Sequence, residues 1–404
     1  MARSVAVTAL LLLMTACSSP IGGVRSTPVA RQPTPVPSAS APSTPAPSLA
    51  PPRPLRFKVD TVAGGLQVPW SLVFLPDGGM LVTERPGRVR VIQNGQLQAQ
   101  PAVTLSVSTG SGIESGLLGI ALHPRFPNPL DVYLYYTRQQ GGGKVNRVSR
   151  FTYADGKLSN ERVVLDGIAG GNCCHFGGRI GFGPDGMLYV TVGDAQQPAR
   201  AVDTNSPNGK ILRVNDDGSI PGDNPFPGSP VWAWGLRNPQ GLSWDSAGRL
   251  YASNNGPTGE FGLFHNDEID LIQRGAFYGW PVKAASTAAG RPQDYGNPPE
   301  RVPPVAESGN STWAPSGMTF YSPDRSERQT LLVAALFAQE LRRFIIDPAQ
   351  PGRATAQEVV LSGYGRLRDA VAGPGRCVYV LTSNRDGRGS PQPNDDRVLR
   401  LCPQ

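Results

Sequence analysis

The 404-residue sequence predicts an all-β fold of six repeated four-stranded antiparallel units, and three observations carry that prediction. A phrase made of a strand, a turn often spelled Pro-Asp-Gly, and a strand rich in Leu, Val, Tyr and Thr recurs six times. Several copies run on into a further strand with period-two alternation, the spacing of a half-buried strand. Gly 48 and Pro 41 break helices throughout, while a hydrophobic fraction of 39% still allows a sizeable core. Repeats of this kind stack around an axis, and a six-bladed β-propeller is the economical closed arrangement.

The chain begins with an address. Residues 1–16 hold one arginine, an apolar run from Val5 to Met14 and two small residues before Cys17. That pattern is a secretory signal too short to span a bilayer permanently. The small residues before the cysteine match a lipobox, although Met14 stands where leucine is usual, so residues 1–16 are expected to be a lipoprotein signal peptide with Cys17 as the acylated first residue. The chain is then a membrane-anchored lipoprotein outside the cytoplasm, on the periplasmic side of an outer membrane or the outer face of the cytoplasmic membrane. Residues 17–54 are rich in Pro, Ser, Ala and Thr and too poor in large apolar side chains to offset the entropy of ordering. They read as a disordered, partly polyproline linker.

The folded domain is expected over residues 55–404. The repeat reads Ser71-Leu-Val-Phe-Leu-Pro-Asp-Gly-Gly-Met-Leu-Val-Thr83 and again Arg179-Ile-Gly-Phe-Gly-Pro-Asp-Gly-Met-Leu-Tyr-Val-Thr191. Looser copies run from Leu118 to Thr137, Leu242 to Ser253, Met318 to Ala335 and Asp369 to Thr382. Six units leave roughly 58 residues each, enough for four strands with long loops. Alternating segments Arg88–Ile92, Lys210–Val214 and Arg397–Leu401 supply outer strands, and Arg56–Asp60 is placed to pair with the last unit and close the ring. If the last two strands form a hairpin, Cys377 and Cys402 face each other and a disulfide pins the C-terminus, consistent with an oxidising compartment.

Charge excludes one function class. The chain carries 38 basic and 31 acidic residues, a net +7, but residues 1–56 hold five arginines and no acid. The domain itself is nearly neutral, which removes the basic footprint that nucleic-acid binding requires. The excess sits beside the anchor, where it suits anionic lipid.

Between the repeats lie segments that turn chemistry does not explain: Gly116-Leu-Leu-Gly-Ile-Ala-Leu-His-Pro124, His175-Phe-Gly-Gly-Arg-Ile180, Asn208-Gly-Lys-Ile-Leu-Arg213, Gly235-Leu-Arg-Asn-Pro-Gln-Gly-Leu242, Gly256-Pro257, Asp267-Glu268, Tyr278-Gly-Trp-Pro281 and Gly365-Arg-Leu-Arg-Asp369. In this order they resemble the soluble glucose dehydrogenase and aldose sugar dehydrogenase family, six-bladed quinoproteins that use pyrroloquinoline quinone (PQQ) and calcium. The resemblance implies oxidation of the anomeric carbon of an aldose to a lactone, with electrons passed to an external acceptor, a quinone or a cytochrome. It makes His175 the general base, a role suited to an imidazole that titrates near neutral pH. His123 and His265 keep structural readings, and no pair of histidines has zinc-ligand spacing.

By the same resemblance Arg237 and Asn238 face the quinone, where a guanidinium stabilises developing negative charge, and Gln240 belongs to the same motif. Arg366 and Arg368 meet the carboxylates of PQQ, and Thr312 contacts the cofactor. Arg179 reads as a strand residue outside the site. Calcium is expected on the backbone carbonyls of Gly256 and Pro257, with a second, structural calcium at Glu268 and Tyr278. Asp267-Glu268 reads otherwise as a solvated acidic loop.

The sequence departs from that family at three places. Cys173-Cys174 precedes the histidine where an aspartate is usual, and the pair is either a vicinal disulfide lining the pocket or two small buried thiols. Phe337 stands where a cofactor-contacting lysine is usual. The loop from Thr258 to Asn266, with Phe261 and Phe264, is longer and is placed to reshape the entrance. The competing reading is a cofactor-less extracellular carbohydrate- or protein-binding propeller, which Phe337 favours. A calcium lactonase lacks its cluster of carboxylate and amide ligands.

Overall fold

A computed structural model gives the architecture of the folded unit from Pro54 onward. The structure describes residues 54–284, 287–288, 295–296, 298–322, 329–347 and 349–404. The expected signal segment 1–16, Cys17 and the linker up to residue 53 lie outside the described residues.

The unit is a six-bladed propeller. Blade 1 runs through Pro69–Phe74, Met80–Glu84 and Arg88–Gln93, with the short outer pieces Gln96–Leu97 and Val103–Thr104. Blade 2 comprises Leu117–Leu122, Asp131–Gln140, Gly143–Ala154 and Lys157–Ala169. Blade 3 comprises Ile180–Phe182, Leu188–Val192, Lys210–Val214 and Val231–Trp234. Blade 4 comprises Pro239–Trp244, Leu250–Asn254, Glu268–Ile272 and Ala306–Glu307. Blade 5 comprises Pro315–Tyr321, Gln329–Ala335, Glu340–Asp347 and Gln350–Ser362. Blade 6 takes Leu367–Ala372, Val378–Thr382 and Val398–Pro403 from the C-terminus and Phe57–Ala63 from the N-terminal side. Each sequence repeat is the inner hairpin of one blade.

Phe57 pairs with Pro403 and Val59 with Leu401, so the early strand closes the ring as the composition of Arg56–Asp60 anticipates. Beside this seam Cys377 and Cys402 are joined by a disulfide.

Six apolar clusters fill the six gaps between neighbouring blades, from blades 1 and 2 (Leu81, Val91, Ile120, Leu134) round to blades 6 and 1 (Leu381, Val398, Leu72, Val82). A second strand is covered on both faces by these clusters, so Leu188–Val192, Leu250–Asn254 and Val378–Thr382 are buried at every position and show no alternation.

One expectation changes here. Lys210–Val214 reads as a half-buried alternating strand, yet all five residues are buried. The Lys210 ammonium is satisfied by the carbonyls of Arg200, Ala201 and Asn208 at 2.8–2.9 Å, and burial pushes its pKa down to about 7. Arg213 reaches Asp185 and Asp223 and stacks on Trp232. Long basic side chains thus satisfy a polar layer within the sheet rather than facing water.

The Cys377–Cys402 bridge closes a 25-residue separation at the ring seam. Replacing both cysteines by serine is expected to lower stability by roughly 3 kcal/mol, seen as a lower midpoint in denaturant relative to the oxidised protein. An unchanged midpoint would mean that the bridge does not restrain the unfolded chain.

Candidate functional site

In an up-and-down blade, the loop entering the innermost strand and the loop leaving the second strand emerge at the same end. Loops of those two kinds from all six blades therefore surround one mouth of the central channel. They line a cavity of about 290 Å³.

His175 lies on the segment entering blade 3. Its Nδ1 is 2.7 Å from Asp194 Oδ1, and Asp194 also accepts the indole N–H of Trp280 at 2.8 Å and the amide of Gln196 at 2.8 Å. Asp194 is fully buried. A carboxylate held by two other donors fixes the imidazole ring and favours the tautomer with the proton on Nδ1, which leaves Nε2 as the acceptor. His175 itself sits at φ +63°, the left-handed region, a conformation that costs about 1 kcal/mol or more and has to be held by its surroundings. The two glycines after Phe176 explain how. A Cβ on Gly177 would stand 2.6 Å from the Thr191 carbonyl, and Gly177 N donates to Asn238 Oδ1 at 3.0 Å, so only glycine lets this turn fold onto the next strand.

Glu114, on the segment entering blade 2, accepts from the amide of His175 at 2.9 Å, from Asn238 Nδ2 at 3.3 Å and from Arg388 Nη1 at 2.9 Å. Burial alone would raise its carboxyl, but the imidazole of His175 and the guanidinium of Arg388 outweigh that and hold it at about 2.

The rest of the lining is dominated by cations. Arg85, Arg237, Arg366, Arg368 and Arg388 face it against only Glu114, Asp267 and Asp386 as carboxylates. Arg366 pairs with Asp386 at 2.8 Å, and Arg368 donates to Gln240 Oε1 at 2.8 Å. The Nε atoms of Arg85 and Arg368 are buried with no partner. Burial, reinforced by the charges of Arg85 and Arg366, pushes Arg368 down to about 9. Buried guanidiniums with unmet donors form a site for an anion with several carboxylates.

Below Arg368 the channel is closed. Arg179 donates to Ser71 Oγ (2.7 Å), Asp369 Oδ2 (2.9 Å) and the Gln240 carbonyl (3.0 Å), and its guanidinium lies 4.3 Å from the ring of Trp70. Arg179 is therefore no mere strand residue: it forms the floor under the cavity.

The structure brings together His175, Arg237, Asn238, Gln240, Thr312, Arg366, Arg368, Gly256, Phe337 and Cys174 at this one mouth. Cys173 and Cys174 are joined as a vicinal disulfide, and the amides of both point to Gln196 Oε1. Phe337 stands on the rim, 65% exposed, and adds no charge where a lysine was expected. His265 bonds Thr312 Oγ1 at 2.6 Å and so orients a lining residue, whereas His123 is buried away from the mouth beside Asp216.

For a metal, no described group donates to the carbonyls of Gly256 and Pro257, while the Gly256 amide is held by Asp267 at 2.8 Å. Asp267 also takes the amides of Trp313 and Ala314 at 2.6 and 2.9 Å, so it is a buried structural carboxylate rather than part of a solvated acidic loop. Glu268 and Tyr278 lie off the cavity: Glu268 pairs with Arg301 at 3.0 Å, and the Tyr278 hydroxyl is engaged by Leu271 and Gln273. Beside Glu268, Asp270 is fully buried and neither of its carboxylate oxygens has a partner. Burial and the charge of Glu268 push its carboxyl well up. Among the described residues no group of three or more His, Cys, Asp or Glu side chains forms a metal cluster, and backbone carbonyls have to complete either set.

Sequence reasoning missed Glu114, Asp194, Asp386, Arg85, Arg388 and Asp270. A signal existed for several: Arg85, Asp194 and Asp386 each lie shortly after the second strand of a blade, as Asn255 and Phe337 do.

Comparison with known proteins follows the same lines. The family model described as glucose/sorbosone dehydrogenase matches residues 66–391. The chain is 31% identical over 358 residues to the aldose sugar dehydrogenase of Escherichia coli K12, across 83% of this chain and 92% of that one. Among solved structures it resembles a candidate glucose dehydrogenase of Thermus thermophilus, with 44% identity, TM-score 0.77 and coverage of 85% and 99%. It is also similar to the PQQ-bound aldose sugar dehydrogenase of Streptomyces coelicolor, with 34% identity, TM-score 0.74 and coverage of 87% and 99%.

With a folded pKa near 2 against 4.5, the Glu114 carboxylate stabilises the fold fully above pH 4.5, and this contribution is lost as pH falls toward 2. Its side chain keeps 18% exposure, which screens the effect to about 2 kcal/mol. Glu114→Gln is expected to flatten stability against pH in that window, measured by denaturant titration. An acid limb unchanged in the variant would contradict the assignment.

Proposed function

The chain belongs to the glucose/sorbosone dehydrogenase family, and from that premise we propose that it is a PQQ- and calcium-dependent dehydrogenase that oxidises the anomeric carbon of aldoses to lactones. The observation that carries this reading is the coincidence of two features in one cavity. A His175–Asp194 pair presents a free Nε2, and buried guanidiniums with unmet donors lie across from it.

The residues divide the work. Arg366, Arg368 and Arg85 would hold carboxylates of the cofactor, and Arg368 is kept in place by Gln240. Arg237 and Asn238 would orient the cofactor, and the carbonyls of Gly256 and Pro257 would hold calcium. When bound, PQQ supplies a two-electron acceptor for the hydride that leaves the anomeric carbon, and calcium polarises its reactive carbonyl. His175 Nε2 takes the proton of the anomeric hydroxyl, and Asp194 stabilises the resulting imidazolium without moving. The vicinal disulfide stands where the resembled family has an aspartate, and the neighbouring Glu114 carboxylate is engaged by Arg388 and the His175 amide. A second calcium at Glu268 and the carbonyl of Tyr278 is part of the proposal, supported by the unpartnered carboxylate of Asp270.

The reading extends to an acylated Cys17 that tethers the protein outside the cytoplasm and to an external quinone or cytochrome as electron acceptor. Its support is the sequence around Cys17 and the chemistry of a reduced quinone that has to be reoxidised.

Purified protein supplied with PQQ and calcium is expected to reduce an artificial dye with aldoses as donors. His175→Ala is expected to lower kcat by about 10³-fold or more while PQQ binding, followed by spectroscopic titration, is retained. Absence of quinone binding at micromolar PQQ with calcium present would overturn the proposal in favour of a cofactor-less binding propeller.

A further inference from the structure

The loop between Asn255 and Asp267 carries one carboxylate that the reaction as derived does not use. Glu260 Oε1 accepts from Arg237 Nε at 3.1 Å, and Oε2 accepts from the Thr258 amide at 2.7 Å. Burial works against its charge, but Arg237 outweighs that and holds the carboxyl below its ordinary range, so it is an anion. Its side chain remains 29% exposed, and its partners Arg237 and Thr258 both line the cavity.

The loop that presents Glu260 is built rather than loose. The Gly259 amide bonds the Leu263 carbonyl at 2.8 Å, Thr258 bridges to Phe264, and the ring of Phe261 packs 5.8 Å from that of Trp280. Trp280 is also the indole that donates to Asp194. The carboxylate is thus set in register with the base through one shared side chain. Oε1 lies 3.9 Å from His175 Nε2, too far for a direct hydrogen bond.

Two acceptors 3.9 Å apart, one lining the cavity and the other held by two of its lining residues, match a pair of neighbouring hydroxyls. Adjacent hydroxyl oxygens of a pyranose stand roughly 3 Å apart, and each reaches its own acceptor at roughly 2.7–2.8 Å. One of these acceptors is the base that takes the proton of the anomeric hydroxyl. We propose that Glu260 is a specificity-determining residue that accepts the hydrogen bond of the C2 hydroxyl, so that the site selects aldoses with a free hydroxyl next to the anomeric one. This rests on the aldose dehydrogenase reading above. A charge-assisted bond to a positioned carboxylate discriminates by about 10- to 100-fold. Because Glu260 keeps its Arg237 partner when that hydroxyl is missing, the penalty stays below that of a carboxylate left wholly unpaired.

The test compares D-glucose with 2-deoxy-D-glucose on the PQQ- and calcium-loaded full chain, in wild type, Glu260→Ala and Glu260→Gln, with PQQ titration of each variant as a readout independent of turnover. Wild type is expected to favour D-glucose by about 10- to 100-fold in kcat/KM. Glu260→Ala is expected to bring the two sugars within about threefold through a rise in KM for D-glucose, with Glu260→Gln intermediate because its carbonyl still accepts. An equal 2-deoxy penalty in wild type and Glu260→Ala would overturn the inference and leave the oxidation of aldoses standing. So would loss of quinone binding in Glu260→Ala, which would make the carboxylate a support for Arg237 alone. A wild type that binds PQQ yet oxidises no aldose would overturn the inference together with the functional reading it rests on.

Discussion

The guanidinium of Arg179 is where the ring of blades closes on its axis. It starts in blade 3 and reaches Ser71 in blade 1, the Gln240 carbonyl in blade 4 and Asp369 in blade 6, while its face lies on Trp70. Blade 5 comes close enough that a Cβ on Gly317 would meet Asp369 at 1.8 Å. Burying such a pair is costly, and here Arg179 Nη2 is left without a partner, but truncating one partner of a buried pair typically costs about 3–5 kcal/mol. Within the propeller this cross-link does what a packed core cannot, since inner strands diverge around an axis and leave a channel. The channel is thereby stopped at a defined depth, and the cavity above has a polar floor.

That floor sets the chemistry above it. Gln240 turns its carbonyl down to Arg179 and its side-chain oxygen up to Arg368, so one residue couples the structural layer to the binding layer. Arg368 is then held in a buried position with an unmet donor and with Arg85 and Arg366 nearby. Such an arrangement is unfavourable in the free protein and becomes favourable only when an anion arrives, which is how binding energy is stored in a pre-organised site. His175 shows the same logic: a left-handed backbone and an imidazole locked by Asp194 and Trp280 are maintained by the surrounding loops rather than by local preference.

The fold was legible because it is periodic. Two Pro-Asp-Gly turns mark inner hairpins, and with the four looser copies of the phrase they count six blades. The site was legible only where residues fall in distinctive runs such as His175-Phe-Gly-Gly-Arg. Glu114 and Glu260 act through loops from different blades that meet only after the ring closes, and nothing in their local sequence signals that meeting. Lys210 and Arg213 misled for a related reason: alternation was read as water on one face, whereas a neighbouring blade covers that face and the cations find carbonyls and carboxylates inside the sheet. Arg179 was passed over because a strand position gives no hint that it lies on the axis.

The central claim is the proposal that the buried guanidiniums above this floor, with the unmet Nε donors of Arg85 and Arg368, would hold the carboxylates of PQQ. Calorimetric titration of PQQ with calcium into wild type and Arg368→Met tests it most directly. The account predicts one site per chain in wild type and an affinity lowered by about 10- to 100-fold in Arg368→Met, the loss of one charge-assisted pair. Equal affinity in the two proteins would contradict it.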